Sequence, residues 1–226
     1  MLFLSIQLFI QAITKFLLGV VIIGLLIFLP AGTIYYPNGW IFMAVLFIPI
    51  FIVGIILMIK NPLLLESRLS VKEKQKQQGI VIKLSGLMFI VGFLLAGFDF
   101  KYHWTKINPI ISYIFVGIFF LGYIMWAFVL KQNAYLSRTI KVEKNQKVVS
   151  TGLYKIIRHP MYTATLLIFL SMPIILGSLV SLIVFLTYPI IIVIRIVYEE
   201  KLLEQELIGY LDYKKKVKYR LIPFIW

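Results

Sequence analysis

"WIFMAVLFIPIFIVGIILMI", residues 40–59, is twenty residues long without a single charge. As a helix rising about 1.5 Å per residue it reaches about 30 Å, the thickness of a bilayer's hydrocarbon core. Reading outward from it, residues 9–29, 80–98, 109–130 and 179–197 are similarly apolar. Three of these carry a lone cation. Lys15 lies within the first, Lys83 sits at one end of its span and can snorkel, and Arg195 stands near the end of the last. Residues 161–176 form a shorter apolar run, cut from the next by Gly177-Ser178. Residues 161–197 therefore predict a helical hairpin with a tight turn at the far membrane face. The expected fold is all-α: a polytopic membrane bundle of five to six transmembrane helices with a cytoplasmic C-terminal helix.

Composition agrees. The chain is 61% hydrophobic and 14% charged, with a mean hydropathy of +0.96. A soluble domain of 226 residues cannot hide that much apolar surface. Cysteine is absent, which removes thiol nucleophiles, zinc–thiolate sites and disulfides. The two histidines, His103 and His159, show no metal-ligand spacing, so no metal is expected. The first apolar run lacks a basic start and a small-residue cleavage signature, and reads as a retained span.

Charge sets the expected orientation. Lys and Arg number six over residues 60–83, seven over 131–158 and seven over 195–220. The opposite loops carry none over 31–39, and only Lys101 and Lys106 before Pro109. This bias predicts both termini and every basic segment on the cytoplasmic side. It accounts for most of the +14 net charge without nucleic acid, and a basic membrane face ordinarily meets anionic lipid. No internal repeat appears. One domain is expected over 1–226, with N-terminal transmembrane helices over 1–130 and a core over 131–226. Residues 61–78 read as a charged, partly helical loop. Residues 139–150, "TIKVEKNQKVVS", alternate around a polar "KNQ" as a short hairpin would.

Two stretches are chemically unusual. "GLYKIIRHPMY", residues 152–162, places Arg158, His159 and Pro160 side by side at the mouth of an apolar run. "RIVYEEKLLEQE", from Arg195, puts Arg195 and Glu199 four apart on one helical face with Glu200 beside them. Each has a plain reading: a helix-end ion pair for the second, a polar anchor with a helix-starting proline for the first. The hairpin alters the balance, because it returns the chain to the side it left. Both stretches then lie at one depth and can line a polar pocket between lipid and water.

"GLYKIIRHPMYTA", then "RIVYEEKLL", then the tail "Y..Y...V.YRLIPFIW" resembles the isoprenylcysteine carboxyl methyltransferase family, grouped with the phospholipid N-methyltransferases. The resemblance is strongest over 131–226. "NPLLLESRL" and "LAGFDFKYHW" also look like bacterial members. Ala164 stands where the family pattern often has Gly, and Gln146, which hydrogen-bonds but does not titrate, where many members have His. The resemblance implies S-adenosylmethionine as cofactor, with the Arg158–Tyr162 element at its pocket. His159, Pro160 and Tyr162 would contact the cofactor, with Leu153 and Tyr154 close by. Glu199 and Glu200 would be the candidates to meet its ammonium group, Glu200 as second choice because a helix presents only one of two adjacent residues squarely. Arg195 would face the acceptor's carboxylate or the cofactor's own.

The implied activity is methyl transfer to a lipid-like or prenylated acceptor, first of all a carboxylate, with a phospholipid amine as the alternative. Methyl transfer from a sulfonium is an in-line displacement whose main demand is alignment. Two other readings compete. "RHPxY" also occurs in membrane sterol reductases, which use NADPH, and a non-enzymatic transporter or scaffold would place polar groups at the bilayer midplane. A nucleic-acid binder would need a basic soluble surface that the chain lacks. The tail from Leu203 through Leu207, Tyr210 and Leu211 predicts one amphipathic helix over the site. Lys214, Lys215, Lys216 and Lys218 then follow to meet lipid headgroups.

Overall fold

In a computed structural model, which describes residues 2–69, 76–133, 142 and 146–226, the chain is helical almost throughout. The helices are α1 Leu2–Ala31, α2 Pro37–Lys60, α3 Pro62–Leu69, α4 Lys76–Tyr102, α5 Pro109–Gln132, α6 Pro160–Ile175, α7 Leu179–Phe185, α8 Tyr188–Glu206 and α9 Tyr210–Lys216. Five segments are long and apolar enough to cross a membrane: Ile6–Ala31, Pro37–Lys60, Gly79–Tyr102, Pro109–Gln132 and Leu179–Glu206. The all-α bundle is as expected, and the shorter α6 accounts for the ambiguity between five and six spans. Large side chains such as Leu17, Leu18, Val21 and Leu25 on α1 are exposed, as a lipid-facing helix requires.

Proline writes several of the starts. α2, α5 and α6 each carry Pro at the first position, where the missing N–H would be unpaired anyway. Asn108 caps α5 by accepting from the Ile110 amide at 2.9 Å, and the Asn61 side chain accepts from Leu64 N at the head of α3. The hairpin turn falls where expected: Gly177 adopts φ +79°, and Ser178 caps α7 by accepting from Ser181 N. The return leg is not one helix. Pro189 cannot donate to residue 185 and crowds its carbonyl, so the segment divides into α7 and α8.

Up-and-down order brings the end of α2, the start of α4, the end of α5 and the end of α8 to one face. At the opposite face the short α6 ends under its neighbours, and its last carbonyls are captured by side chains. Ile174 O accepts from Ser112 Oγ at 2.9 Å, Ile175 O from Asn38 Nδ2 at 2.8 Å, and Leu176 O from the Tyr36 hydroxyl. Beside them Asp99, 2% exposed, accepts from Thr105 N, Thr105 Oγ1 and Ser178 Oγ. Nothing in the sequence reading had singled out this carboxylate. Lys15 is also satisfied, donating to Leu69 O at 2.7 Å.

α5 and α6 form the closest helix pair. Apolar attraction counts for little between helices in lipid, so association relies on close packing of small residues. A Cβ on Gly122 would fall 2.7 Å from Ile168 Cγ1 and 3.1 Å from Ala164 O. Ala164 itself is fully buried at this crossing, so alanine at that position still permits close approach. Phe89, Phe93, Phe169, Phe185 and Tyr188 pack α4 against α6, α7 and α8 with ring centroids 4.7–5.9 Å apart.

Beyond α8 the expectation of one continuous helix fails. Gly209 takes φ +86°, which ends the helix near Leu207 and restarts it as α9. Leu207 and Tyr210 are buried as the pattern required, but Leu211 is exposed. Lys214 turns inward to Glu204 at 2.5 Å rather than outward. The proposed hairpin over 139–150 lies largely outside the described residues, and 146–150 form no regular element. Of the loop over 61–78, α3 is helical as expected and 70–75 are likewise not described.

Candidate active site

The "RHP" segment is placed by both of its neighbours in space. Gly152, at φ +58°, turns the chain against the end of α5, where Gln132 Oε1 accepts from Leu153 N at 3.1 Å. A 3-10 turn, Gly152–Lys155, leads to Ile157, which forms a parallel bridge with Tyr219 of the tail. Arg158 N donates to Tyr219 O and His159 N to Arg220 O, each at 2.9 Å. Thr163 Oγ1 donates to Leu221 O at 2.8 Å. Residues after α9 thus hold the segment from beneath, and Pro160 starts α6 immediately above it.

Glu200 is the electrostatic hub of this region. It is 3% exposed and accepts from Arg158 Nε at 2.7 Å, His159 Nε2 at 3.1 Å and Arg220 Nε at 3.0 Å, with Lys214 Nζ at 3.9 Å. An ionised carboxylate only accepts, so His159 carries its proton on Nε2. Arg158 completes its set through NH1, which donates to Val217 O and Lys218 O at 2.8 Å each. Every charge that this buried group introduces is therefore met.

Glu199 points elsewhere. Adjacent residues on a helix diverge by about 100°, so Glu199 faces a cavity of about 510 Å³ opening between α4, α5, α6, α8 and α9. The Tyr162 hydroxyl donates to Glu199 Oε2 and accepts from Arg195 Nε at 2.8 Å. Tyr162 bridges the cation and the anion and stacks near His159, with ring centroids 5.7 Å apart. Tyr154, Arg158, His159, Tyr162, Arg195 and Glu199 all line this cavity, as does Gln146. Leu153, Pro160 and Glu200 do not line it. Leu153 packs beside the Tyr154 cluster, Pro160 is fully buried at the head of α6, and Glu200 is turned to the arginines.

Two tail tyrosines border the cavity, Tyr210, expected only as part of a covering helix, and Tyr213, given no role by the sequence. Tyr213 donates to Tyr154 O at 2.7 Å, and the Tyr210 hydroxyl is buried with no partner among the described residues. The spaced tyrosines of the tail were the available signal. Burial pushes the hydroxyls of Tyr210 and Tyr213 well above the usual tyrosine range, with Glu200 adding to the effect at both. Both stay protonated donors near neutral pH.

A second, apolar cavity of about 870 Å³ lies between α1, α2, α3, α5 and α6. Trp126, Thr165 and Phe169 line both cavities and form the wall between them. Lys15 is the only charged residue lining the apolar cavity among the described residues.

Residues 109–207 match the family model for phospholipid methyltransferases. The match runs from the first residue of α5 to the residue after α8, and takes in the "RHP" segment, Arg195, Glu199 and Glu200. This family is related to the isoprenylcysteine carboxyl methyltransferases, in line with the resemblance read from the sequence. The match indicates a methyltransferase. No curated protein gives a significant match.

Proposed function

We propose, for a chain whose residues 109–207 form a phospholipid methyltransferase domain, that it transfers a methyl group from S-adenosylmethionine to a lipid-borne acceptor at the cytoplasmic membrane face. The observation that carries this reading is the shared wall of Trp126, Thr165 and Phe169. A polar chamber bordered by titratable groups meets an apolar chamber within the span region. An acceptor's chain can lie in the second while its head reaches the first.

The residues present fit the cofactor. Its volume of about 510 Å³ puts the polar cavity within the usual range for small-molecule sites. Glu199 supplies an anion for an ammonium group, and the Tyr162 face supplies a second attraction for positive charge. Arg195 supplies a planar fork for a carboxylate. When bound, S-adenosylmethionine supplies a methyl group activated by its sulfonium. Tyr162 fixes Arg195 and Glu199 relative to each other, so both groups are positioned before ligand arrives. Glu200 holds Arg158 and His159 in place from behind the cavity. No general base is required for a carboxylate acceptor, which is ionised near neutral pH.

Arg195 in the cavity wall favours an anionic acceptor, a lipid-borne carboxylate first. The family's description favours a phospholipid amine as the second reading. A labelled-methyl assay over lipid extracts with the purified protein separates them. A methyl ester releases labelled methanol in alkali, whereas an N-methyl group does not. No label in any lipid fraction, with cofactor bound, would remove the lipid acceptor.

A further inference from the structure

Tyr210 follows the left-handed Gly209 at the start of α9 and is only 4% exposed. Its hydroxyl has no hydrogen-bond partner among the described residues. A buried hydroxyl that donates to nothing bears its desolvation cost without return, and such groups in native proteins call for an explanation. The helix itself does not forbid satisfaction, because Tyr213 on the same helix finds Tyr154 O. Tyr210 borders the polar cavity, and burial together with the nearby Glu200 and Glu199 keeps its proton on.

The surroundings indicate which part of a ligand would meet it. Val148, Val149, Leu207 and the Tyr154 ring border the same cavity and pack in one cluster with Tyr210. The charged pair, Arg195 and Glu199, belongs to α8, and its chemistry suits the amino-acid end of a methyl donor. An apolar, partly aromatic slot with one neutral donor suits a planar heteroaromatic ring whose nitrogens accept. An ammonium group would bring only further donors to a hydroxyl that itself donates, and a ribose, although its hydroxyls can accept, presents no flat face to the apolar lining.

We propose that Tyr210 is a binding residue for the purine ring of the methyl donor, its hydroxyl donating to a ring nitrogen. This rests on the methyl-donor reading above. It makes the segment after α8 part of the binding site as well as its support.

The test is calorimetric titration of the full-length protein in detergent micelles with S-adenosylhomocysteine and its 1-, 3- and 7-deaza purine analogues. Tyr210→Phe is compared with the parent protein. The expected result is a loss of about three- to tenfold in affinity for S-adenosylhomocysteine in the variant. Its ligand-free melting temperature stays unchanged or rises. One deaza analogue costs the parent a similar factor and costs the variant nothing further. Equal affinity in the two proteins would overturn the proposal. So would deaza penalties identical in both, or a ligand-free melting temperature lowered by the substitution. If the parent itself binds no S-adenosylhomocysteine, the methyl-donor reading fails, and this assignment fails with it.

Discussion

Arg158 and Glu200, forty-two positions apart, meet through Nε and Oε1 at 2.7 Å with both side chains almost sealed from solvent. Glu199, the very next residue, instead faces the cavity and the Tyr162 hydroxyl. Two neighbouring carboxylates thus have separate surroundings, one among buried cations and one facing the cavity.

The first consequence is a split in stability. Removing one partner from a buried ion pair costs roughly 3–5 kcal/mol, because the other charge remains uncompensated. Glu200→Ala should therefore lower the melting temperature in detergent sharply, since Arg158, Arg220 and His159 all lose the carboxylate they share. Glu199→Ala should lower it little. Equal shifts in a thermal melt of the two variants would show that Glu200 is no hub.

Ligand binding should divide the other way. Glu199→Gln keeps the shape and removes the charge, and a charged hydrogen bond is worth about 1.5–3 kcal/mol. Affinity for S-adenosylhomocysteine should fall about tenfold to a hundredfold with the melting temperature preserved. His159→Ala should weaken binding too, but with a stability cost through Glu200. Titration that finds both affinities unchanged would make these residues interfacial anchors only.

Arg195 is fixed by its Nε donation to Tyr162. Lysine keeps the charge and loses the fork. Arg195→Lys should retain the fold and cofactor affinity while turnover drops on the order of a hundredfold, the scale of a small misalignment. Steady-state methyl transfer beside a binding titration checks this. Parental turnover in the variant would reduce Arg195 to a helix-end ion pair.

Trp126 stands in the wall between the cavities. One methylene in an apolar pocket is worth about 1–3 kcal/mol of discrimination. Trp126→Ala should change the ranking of acceptors of different chain length by about tenfold or more, with S-adenosylhomocysteine affinity little altered. A series of homologous acceptors in a labelled-methyl assay reads this directly. An unchanged ranking would place the acceptor's chain outside the second cavity.

Much of this was legible in the sequence for physical reasons. The long apolar runs and the prolines at helix starts locate α2, α5 and α6, and Gly177-Ser178 locates the turn. The pairing of "RHPMY" with "RIVYEE" followed from hairpin topology alone. Three things were not legible. Which of Glu199 and Glu200 meets the cavity depends on the rotation of α8, which a short motif does not fix. The α7–α8 break needed Pro189 to be read as a stop inside an apolar run. The capture of Arg158 by Val217 O and Lys218 O is backbone chemistry, and no side-chain pattern announces it.

That capture also bears on how the protein is made. The two carbonyls that receive Arg158 lie fifty-nine and sixty positions later in the chain. At about 5–20 residues per second, synthesis needs roughly three to twelve seconds to supply them. Through that interval a guanidinium waits beside a membrane helix that is already complete, with its final acceptors unmade. Once residue 206 is made, the nascent protein thus passes through a stage in which its spans are complete but its polar cavity has no floor. A chain that ended between residues 206 and 217 would carry every span and still lack these two acceptors, leaving "RHPMY" open to the aqueous surface.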